Sequence, residues 1–201
     1  MEYDRTKPEI RQHLRQVIAG LSDAERHAKS VAACTLVAGT PQFHSARTVM
    51  LFLSTPLEVD TAPLAVRAWQ QGKTVVVPKV SWDARRMIPT EITSLSSEHL
   101  RTVNYGIREP ISGMPVPVSD IDFVLVPGLG FTEDGHRIGR GMGFYDRFLA
   151  QGDFFGTSCG LSFEEQIVPT IPMLDHDVIL GMVATDRAVR YTAAPKIAPM
   201  P

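Results

Sequence analysis

The sequence has little cysteine, little net charge and no long apolar run. Its two cysteines, Cys34 and Cys159, match no metal-ligand spacing, and we predict that both are buried or idle thiols in a reducing cytoplasm. A formal net charge of −2 gives no reason to expect attraction to nucleic acid or to an anionic membrane. No apolar run approaches the roughly 20 residues that span a bilayer, and the charged N-terminus lacks the apolar core of a secretory signal. We therefore expect a cytoplasmic protein that contacts neither membranes nor nucleic acid.

The rest of the composition is typical of a globular domain. Hydrophobic residues make up 44% of the 201 positions and charged residues 21%. This length fits one domain with a substantial core. We predict a single α/β domain over residues 1–191, followed by a flexible Ala/Pro-rich tail over residues 192–201.

Helical and strand patterns alternate along the chain. Apolar positions repeat at helical spacing from Ile10 to Leu21, and a capping box at residues 22–25 opens a second helix that runs to about Ala38. A strand at residues 48–54, a helix that Thr61 caps and Gly72 ends, and a strand at residues 73–78 form a βαβ unit. Further predicted strands are residues 87–93, where Pro89 indicates an edge strand or a bulged one, and residues 123–126, 156–161 and 178–184. The pattern predicts an open, mostly parallel twisted sheet with helices on both faces, a Rossmann-like α/β fold.

A glycine-rich loop follows the apolar run at residues 123–126 and leads into a helical pattern at Gly143. The loop glycines are Gly128, Gly130, Gly135, Gly139 and Gly141. A strand, a glycine-rich loop and a helix start form the usual anion site of α/β proteins, and the guanidinium groups of Arg137 and Arg140 suit phosphate. The loop lacks the Gly-Lys-Ser/Thr of a Walker A motif, and Phe144 stands where a dinucleotide fingerprint has its last glycine. The pattern predicts phosphate binding; the alternative is a long surface loop with exposed arginines.

The stretch from Pro127 to Asp146 resembles the signature of the 5-formyltetrahydrofolate cyclo-ligase family. The positions in register are Pro127, Gly128, Phe131, Gly135, Arg137, Gly139, Gly141, Gly143, Tyr145 and Asp146. The resemblance extends from Lys7 to Asp186. It implies an enzyme that uses ATP and Mg²⁺ to convert 5-formyltetrahydrofolate into 5,10-methenyltetrahydrofolate, with ADP and phosphate as the other products. We expect a monomer whose partners are small molecules, a reduced folate and ATP.

The resemblance also implies a nucleotide site. Lys7 and Arg11 match a Lys-x-x-x-Arg pattern at the start of the family's first helix, where both residues contact ATP phosphates. From spacing alone, the same two residues would form an ordinary solvated helix face. The implied nucleotide-binding residues are Lys7, Arg11, Arg137, Gly139, Arg140, Gly141, Gly143 and Tyr145. Arg137, Arg140 and Tyr145 are the predicted catalytic residues.

Substrate and metal residues follow in the same way. Leu53 and Glu58 match the family's Leu-Ser-x-x-x-Glu segment, whose Glu contacts folate. Glu58 also follows a predicted strand at the edge where parallel sheets bind ligands, although a surface Glu in a turn is the alternative. Three further residues are implied contacts of the substrate: Met87, Tyr105 and Phe144. Asp146 and Asp177 are the implied Mg²⁺ ligands, which agrees with the preference of Mg²⁺ for carboxylate oxygens.

Three positions depart from the family pattern. Thr132 replaces an Asp, Phe144 replaces the first Tyr of Tyr-Tyr-Asp, and Gly181 stands where an acidic residue is common. Two other hypotheses therefore stay open. One is a diverged ATP-dependent enzyme acting on another small amide or cofactor; the other is a folate-binding module without turnover. A Rossmann dehydrogenase is disfavoured because the third glycine of its fingerprint is missing.

Overall fold

The computed structural model describes residues 6–103 and 106–192. Its helices are α1 Lys7–Ala19, α2 Asp23–Ala38, α3 Pro41–Ser45, α4 Ala62–Gln70 and α5 Phe144–Leu149, with short 3₁₀ turns at Val118–Asp120 and Glu164–Gln166. Its strands are β1 Thr48–Met50, β2 Thr74–Ser81, β3 Arg86–Glu91, β4 Leu100–Thr102, β5 Arg108–Pro110, β6 Phe123–Val126, β7 Gly130–Phe131, β8 Arg137–Ile138, β9 Thr157–Leu161, β10 Met182–Ala184 and β11 Val189–Tyr191. The predicted tail lies, apart from Thr192, outside the described residues.

Seven strands form one mixed sheet in the order β11-β10-β9-β6-β1-β2-β3. The five central strands are parallel, while β3 and β11 pair antiparallel at the two edges. The predicted open, mostly parallel α/β sheet is therefore confirmed. The edge position of β3 is also confirmed, and Pro89 lies opposite Pro78 in the register.

The helices α1, α2, α4 and α5 begin close to where the sequence predicts, with one correction, whereas α3 was not predicted. The capping box of α2 is present, since Ser22 Oγ accepts from the Glu25 N–H at 3.3 Å and the Glu25 carboxylate accepts from the Ser22 N–H at 2.8 Å. The predicted side-chain cap of α4 by Thr61 is wrong, because the buried Thr61 hydroxyl donates to the Phe52 carbonyl at 2.6 Å. The Asp60 carboxylate accepts from the Ala62 N–H at 3.0 Å instead.

Two predicted strands are shorter in the structure. The strand predicted at residues 48–54 pairs only as β1 Thr48–Met50, although the chain stays buried through Leu53 as it turns into a loop. The strand predicted at residues 178–184 pairs only as β10. Its first half is diverted because the Leu180 N–H donates to the Gly135 carbonyl at 3.0 Å and the Gly181 N–H donates to Ser158 Oγ at 3.0 Å.

Two hydrophobic layers cover the sheet, one on each face. Alternate residues of a strand point to opposite faces. Phe123 and Leu125 of β6 therefore join the layer under α1–α4, whereas Val124 and Val126 join the layer under α5. Both cysteines are buried, as predicted, and burial raises the pKa of the Cys34 thiol to about 12.

The carboxyl ends of β1 and β6 meet at the centre of the sheet. From β1 the chain crosses to β2 on one side, and from β6 it crosses to β9 on the other side. Such a reversal of connection leaves a crevice at the carboxyl edge, where open α/β sheets bind ligands. The loop carrying Glu58 and the glycine-rich loop both start there. No helix in the described ranges is long and apolar enough to cross a bilayer.

Candidate active site

The glycine-rich loop folds over the crevice from β6 to α5. Its middle forms the β7–β8 hairpin, and Gly143 has a left-handed φ of 64° immediately before α5. That conformation favours glycine because a Cβ would crowd the backbone. The Gln166 amide donates to the carbonyls of Gly128 and Leu129 at 3.1 and 3.0 Å and thereby fixes the start of the loop.

Arg137 and Asp146 form a largely buried ion pair at the base of this loop. Arg137 Nη2 lies 2.8 Å from both carboxylate oxygens, and the side chains are only 7% and 14% exposed. Arg137 Nη1 donates to the Pro127 carbonyl at 3.3 Å, while the buried Nε has no hydrogen-bond partner among the described residues. The loop therefore contains a fixed guanidinium group whose buried Nε–H is unpaired in the described part of the chain.

The first turns of α1 bring two more cations to the loop. Arg11 Nε donates to the Gly139 carbonyl at 2.9 Å. Lys7 Nζ lies 2.5 Å from Asp177 Oδ2, which joins α1 to the loop before β10. Partial burial alone would raise the pKa of Asp177, but hydrogen bonds from Lys7 and from the Leu174 N–H outweigh it and lower that pKa. The structure thus brings Lys7, Arg11 and Asp177 to the same loop as Arg137.

Arg140 connects the glycine-rich loop with the loop after β1. Its Nη2 lies 3.0 Å from Glu58 Oε1 and donates to Thr55 Oγ1 at 3.1 Å. The second Glu58 oxygen accepts from the Thr55 N–H at 2.8 Å. Arg140 is 47% exposed and Glu58 17% exposed, so this contact lies at the mouth of the crevice.

Tyr145 places a hydroxyl beneath the same mouth. The hydroxyl oxygen is buried and has no hydrogen-bond partner among the described residues. Burial, helped by the negative charge of Glu58, raises the pKa of Tyr145, against an opposing effect of Arg137. Tyr145 therefore stays protonated at neutral pH and offers a hydrogen-bond donor.

The predicted apolar contacts lie in two places. Leu53 is buried in the layer under α1–α4. Met87 is buried in the opposite layer, against which Phe144 packs, and the Phe144 ring meets Trp82 edge-to-face at 5.4 Å. Tyr105 lies outside the described residues.

The backbone next to one predicted metal ligand, Asp177, approaches the other, Asp146. The Val178 N–H, next in the chain after Asp177, points at Asp146 Oδ1 over 3.5 Å. Within residues 6–103 and 106–192, no group of three His, Cys, Asp or Glu side chains converges as a complete metal site. Two carboxylates beside a glycine-rich loop that carries two arginines are a donor set that fits Mg²⁺, which takes one or two protein carboxylates and completes its shell with other oxygen ligands.

Two of the departures from the family pattern lie in local turns. Thr132 Oγ1 accepts from the His136 N–H at 3.0 Å and donates to Asp134, so it closes the β7–β8 turn. The Gly181 N–H, in the bend just before β10, donates to the hydroxyl of Ser158 in β9. Sequence reasoning missed Thr55, whose position just after a strand at the carboxyl edge was an available signal. It also missed that Trp82 and Arg147 both contact Phe144, because only the packing of the folded chain brings these side chains together.

Known proteins resemble this chain over nearly its whole length. The sequence model of the 5-formyltetrahydrofolate cyclo-ligase family matches residues 4–186. The chain is 30% identical over 180 residues to the 5-formyltetrahydrofolate cyclo-ligase of Mus musculus, covering 84% of this chain and 88% of the mouse protein. It is 28% identical over 183 residues to the enzyme of that name from Escherichia coli K12, covering 88% and 98%. The solution structure of Aquifex aeolicus 5,10-methenyltetrahydrofolate synthetase superposes with a TM-score of 0.81 at 27% identity, covering 96% of each chain. Together with the fold and the loop geometry, these matches show that the chain belongs to the 5-formyltetrahydrofolate cyclo-ligase family.

Proposed function

We propose that this protein converts 5-formyltetrahydrofolate and MgATP into 5,10-methenyltetrahydrofolate, ADP and phosphate. The observation that carries the proposal is a set of three cation–carboxylate pairs around the crevice. These pairs are Lys7–Asp177, Arg137–Asp146 and Arg140–Glu58. A site with this many opposed charges suits a ligand that supplies both anionic phosphates and a divalent cation.

The chemical obstacle is that a formamide oxygen is a poor leaving group. Transfer of the γ-phosphoryl group of ATP to the formyl oxygen releases ADP and makes that oxygen part of a good leaving group. N10 of the folate then attacks the formyl carbon, the new ring closes with loss of a proton from N10, and the C–O bond breaks to release phosphate. The protein need only align the reactants and neutralise phosphoryl charge.

The cations of the three pairs, together with Arg11, are the proposed phosphate ligands. Lys7 and Arg11 approach from α1, whereas Arg137 and Arg140 belong to the loop itself. The backbone of Gly139, Gly141 and Gly143 is the proposed cradle between them. When bound, Mg²⁺ supplies further neutralisation of phosphate charge, and Asp146 and Asp177 are the residues that would hold it.

Glu58 and Tyr145 are the proposed residues for orienting the folate. A carboxylate at the mouth of the crevice accepts hydrogen bonds from the amino-pyrimidine edge of a pterin. The buried Tyr145 hydroxyl has no partner in the described structure, so a ligand acceptor would satisfy it. Leu53, Met87 and Phe144 are the proposed apolar contacts. We further propose that the protein is a monomer and that it acts in the cytoplasm. The two buried free cysteines support the cytoplasmic location, since free thiols are typical of a reducing compartment.

The test is the ultraviolet absorbance of the methenyl product. The protein is mixed with 5-formyltetrahydrofolate and MgATP, and a matched sample lacks ATP. We expect absorbance to rise only with ATP present. Bound ATP without a rise would point to a different amide substrate, whereas tight folate binding without ATP hydrolysis would indicate a module without turnover.

A further inference from the structure

Arg147 lies on an aromatic surface at one side of the crevice. Its guanidinium carbon is 5.3 Å from the centre of the Phe144 ring, and Phe144 packs edge-to-face on Trp82. We call Trp82 and Phe144 the aromatic shelf. Trp82 follows β2 at the start of the β2–β3 turn, and Phe144 begins α5, so the shelf joins two elements beside the glycine-rich loop.

Arg147 is held in place without losing its charge. Its Nε donates to the Arg85 carbonyl and its Nη2 to the Met142 carbonyl, each at 2.8 Å. Both acceptors are neutral, unlike the carboxylates that pair with Lys7, Arg137 and Arg140. In the described ranges, neither Arg147 nor Arg85 forms an ion pair with a carboxylate. The shelf therefore carries a fixed positive charge that is not neutralised within the protein.

The β2–β3 turn adds a second charge. Arg85 is exposed at the tip of this turn, where its φ is 49°. Asp83 is the one carboxylate of the turn between β2 and β3, and it is exposed as well. Arg147 thus lies on the aromatic surface, and Arg85 belongs to the same turn as Trp82 and accepts a hydrogen bond from Arg147 through its carbonyl. Two cations on the two elements that form the shelf suit an aromatic ligand carrying carboxylates.

We propose that the aromatic shelf with Arg147 and Arg85 binds the p-aminobenzoylglutamate half of the substrate. The aromatic ring lies on the shelf and the two glutamate carboxylates face the arginines. This inference rests on the proposed function, which places the pterin at Glu58. The ring of Tyr145, the neighbour of Phe144, lies 5.9 Å from the Arg137 guanidinium carbon, while the Phe144 ring faces Arg147, so the start of α5 contacts both the glycine-rich loop and the shelf.

The test compares two substrates that differ only in the glutamate. These are 5-formyltetrahydrofolate and 5-formyltetrahydropteroate, and the KM of each is measured at saturating MgATP. The wild-type protein should have the lower KM for the folate. Arg147→Met and Arg85→Gln should each raise the KM for the folate roughly threefold to fivefold, the range of an exposed ion pair. Both variants should bring the pteroate-to-folate KM ratio toward one.

Arg86→Gln is the matched control. Arg86 is exposed and starts β3, whereas the next residue, Met87, is buried in the layer under α5. Successive side chains of a strand point to opposite faces, so the Arg86 side chain leaves β3 away from the shelf. This variant should keep the wild-type KM ratio although it removes the same charge from the same hairpin.

Equal KM values for the two substrates in the wild-type protein would overturn the inference while leaving the proposed function intact. An equal rise for both substrates in Arg147→Met would assign Arg147 a structural role, and Arg85→Gln then decides, because its guanidinium group has no described contact to lose. If the wild-type protein converts neither substrate, the proposed function fails. Calorimetric binding of the same two compounds then tests the shelf, and equal affinity would overturn it.

Discussion

Tyr145 is the residue whose position is hardest to explain without a ligand. A buried polar group that lacks a partner costs roughly 1–3 kcal/mol, and the Tyr145 hydroxyl has no described partner. We expect Tyr145→Phe to leave the free energy of unfolding unchanged or to raise it by about 1 kcal/mol. The same change should lower kcat/KM roughly tenfold, since a hydrogen bond to the ligand is lost. Urea denaturation and the methenyl absorbance assay measure the two effects, and a less stable but fully active variant would contradict this expectation.

Substitutions of Arg140 and Arg137 should differ in their effect on the stability of the fold. Arg140 is 47% exposed, so Arg140→Ala should change the free energy of unfolding by less than about 1 kcal/mol. Arg140→Ala should lower kcat/KM for MgATP about tenfold to a hundredfold through loss of a charged contact with phosphate.

Arg137→Ala leaves Asp146 unpaired in a largely buried position, which costs about 3–5 kcal/mol of folding free energy. Loss of activity in Arg140→Ala with a normal melting temperature is therefore the cleaner evidence, and wild-type turnover in that variant would remove Arg140 from the phosphate site.

The sequence predicted which side chains gather at the crevice better than it predicted their partners. The composition of the glycine-rich loop indicates Arg137 as a candidate phosphate ligand, whereas Lys7 became a candidate only through the family resemblance. The Lys7–Asp177 pair joins positions 170 residues apart, and only the folded chain brings them together. The shelf escaped prediction for the same reason, because Trp82 and Phe144 meet through packing between the β2–β3 turn and α5.

Among the elements, β9 depends on a close approach at Gly160. A Cβ there would lie 2.5 and 2.7 Å from two atoms of the Phe131 ring, which is completely buried. We expect Gly160→Ala to destabilise the fold by about 1–3 kcal/mol through overpacking. Gly152→Ala is the control, because no atom lies within 4 Å of its added methyl group, and its effect should stay within about 0.5 kcal/mol. Equal urea midpoints for the two variants would contradict this expectation and show that the Phe131 ring can move aside at little energetic cost.

The start of a helix or the place of a strand in the sheet was predictable where a short sequence motif determines it. The capping box before α2 and Pro89 in an edge strand are local signals, and both predictions are confirmed. The antiparallel strand β11 was not predicted, because its three residues carry too short a pattern. The lengths of β1 and β10 depended on hydrogen bonds to distant residues, such as the Gly135 carbonyl that accepts from the Leu180 N–H.

At the scale of the whole molecule, Asp186 ties three separate parts of the chain together. Its carboxylate accepts from Lys29 of α2 and from the Glu164 N–H, each at 2.8 Å, just after β10. Partial burial alone would raise the pKa of Asp186, but these hydrogen bonds outweigh burial and lower the pKa below its ordinary value of 3.8. A lowered pKa in the folded state stabilises the fold above the pKa of the unfolded state. That contribution disappears as the pH falls through the lower folded value.

We therefore expect Asp186→Asn to destabilise the protein by about 1–2 kcal/mol at pH 7, and the difference from wild type to shrink below about pH 3.8. Thermal unfolding at several pH values measures the difference. Asp153→Asn, at an exposed loop position, should match wild type throughout. A constant difference between Asp186→Asn and wild type from pH 7 to pH 3 would contradict the assigned role of the charge.

The contact between Arg140 and Glu58 has a consequence for how the two substrates influence each other. One residue is proposed for the nucleotide and the other for the folate, yet each is the partner of the other in the structure. The first substrate to bind must break the contact between Arg140 and Glu58. The second substrate then binds without the free-energy cost of breaking it. Thermodynamic linkage requires this help to be reciprocal, so each substrate should tighten the binding of the other by the same factor. For an exposed pair the factor is at most about fivefold, enough to favour the ternary complex over either binary one.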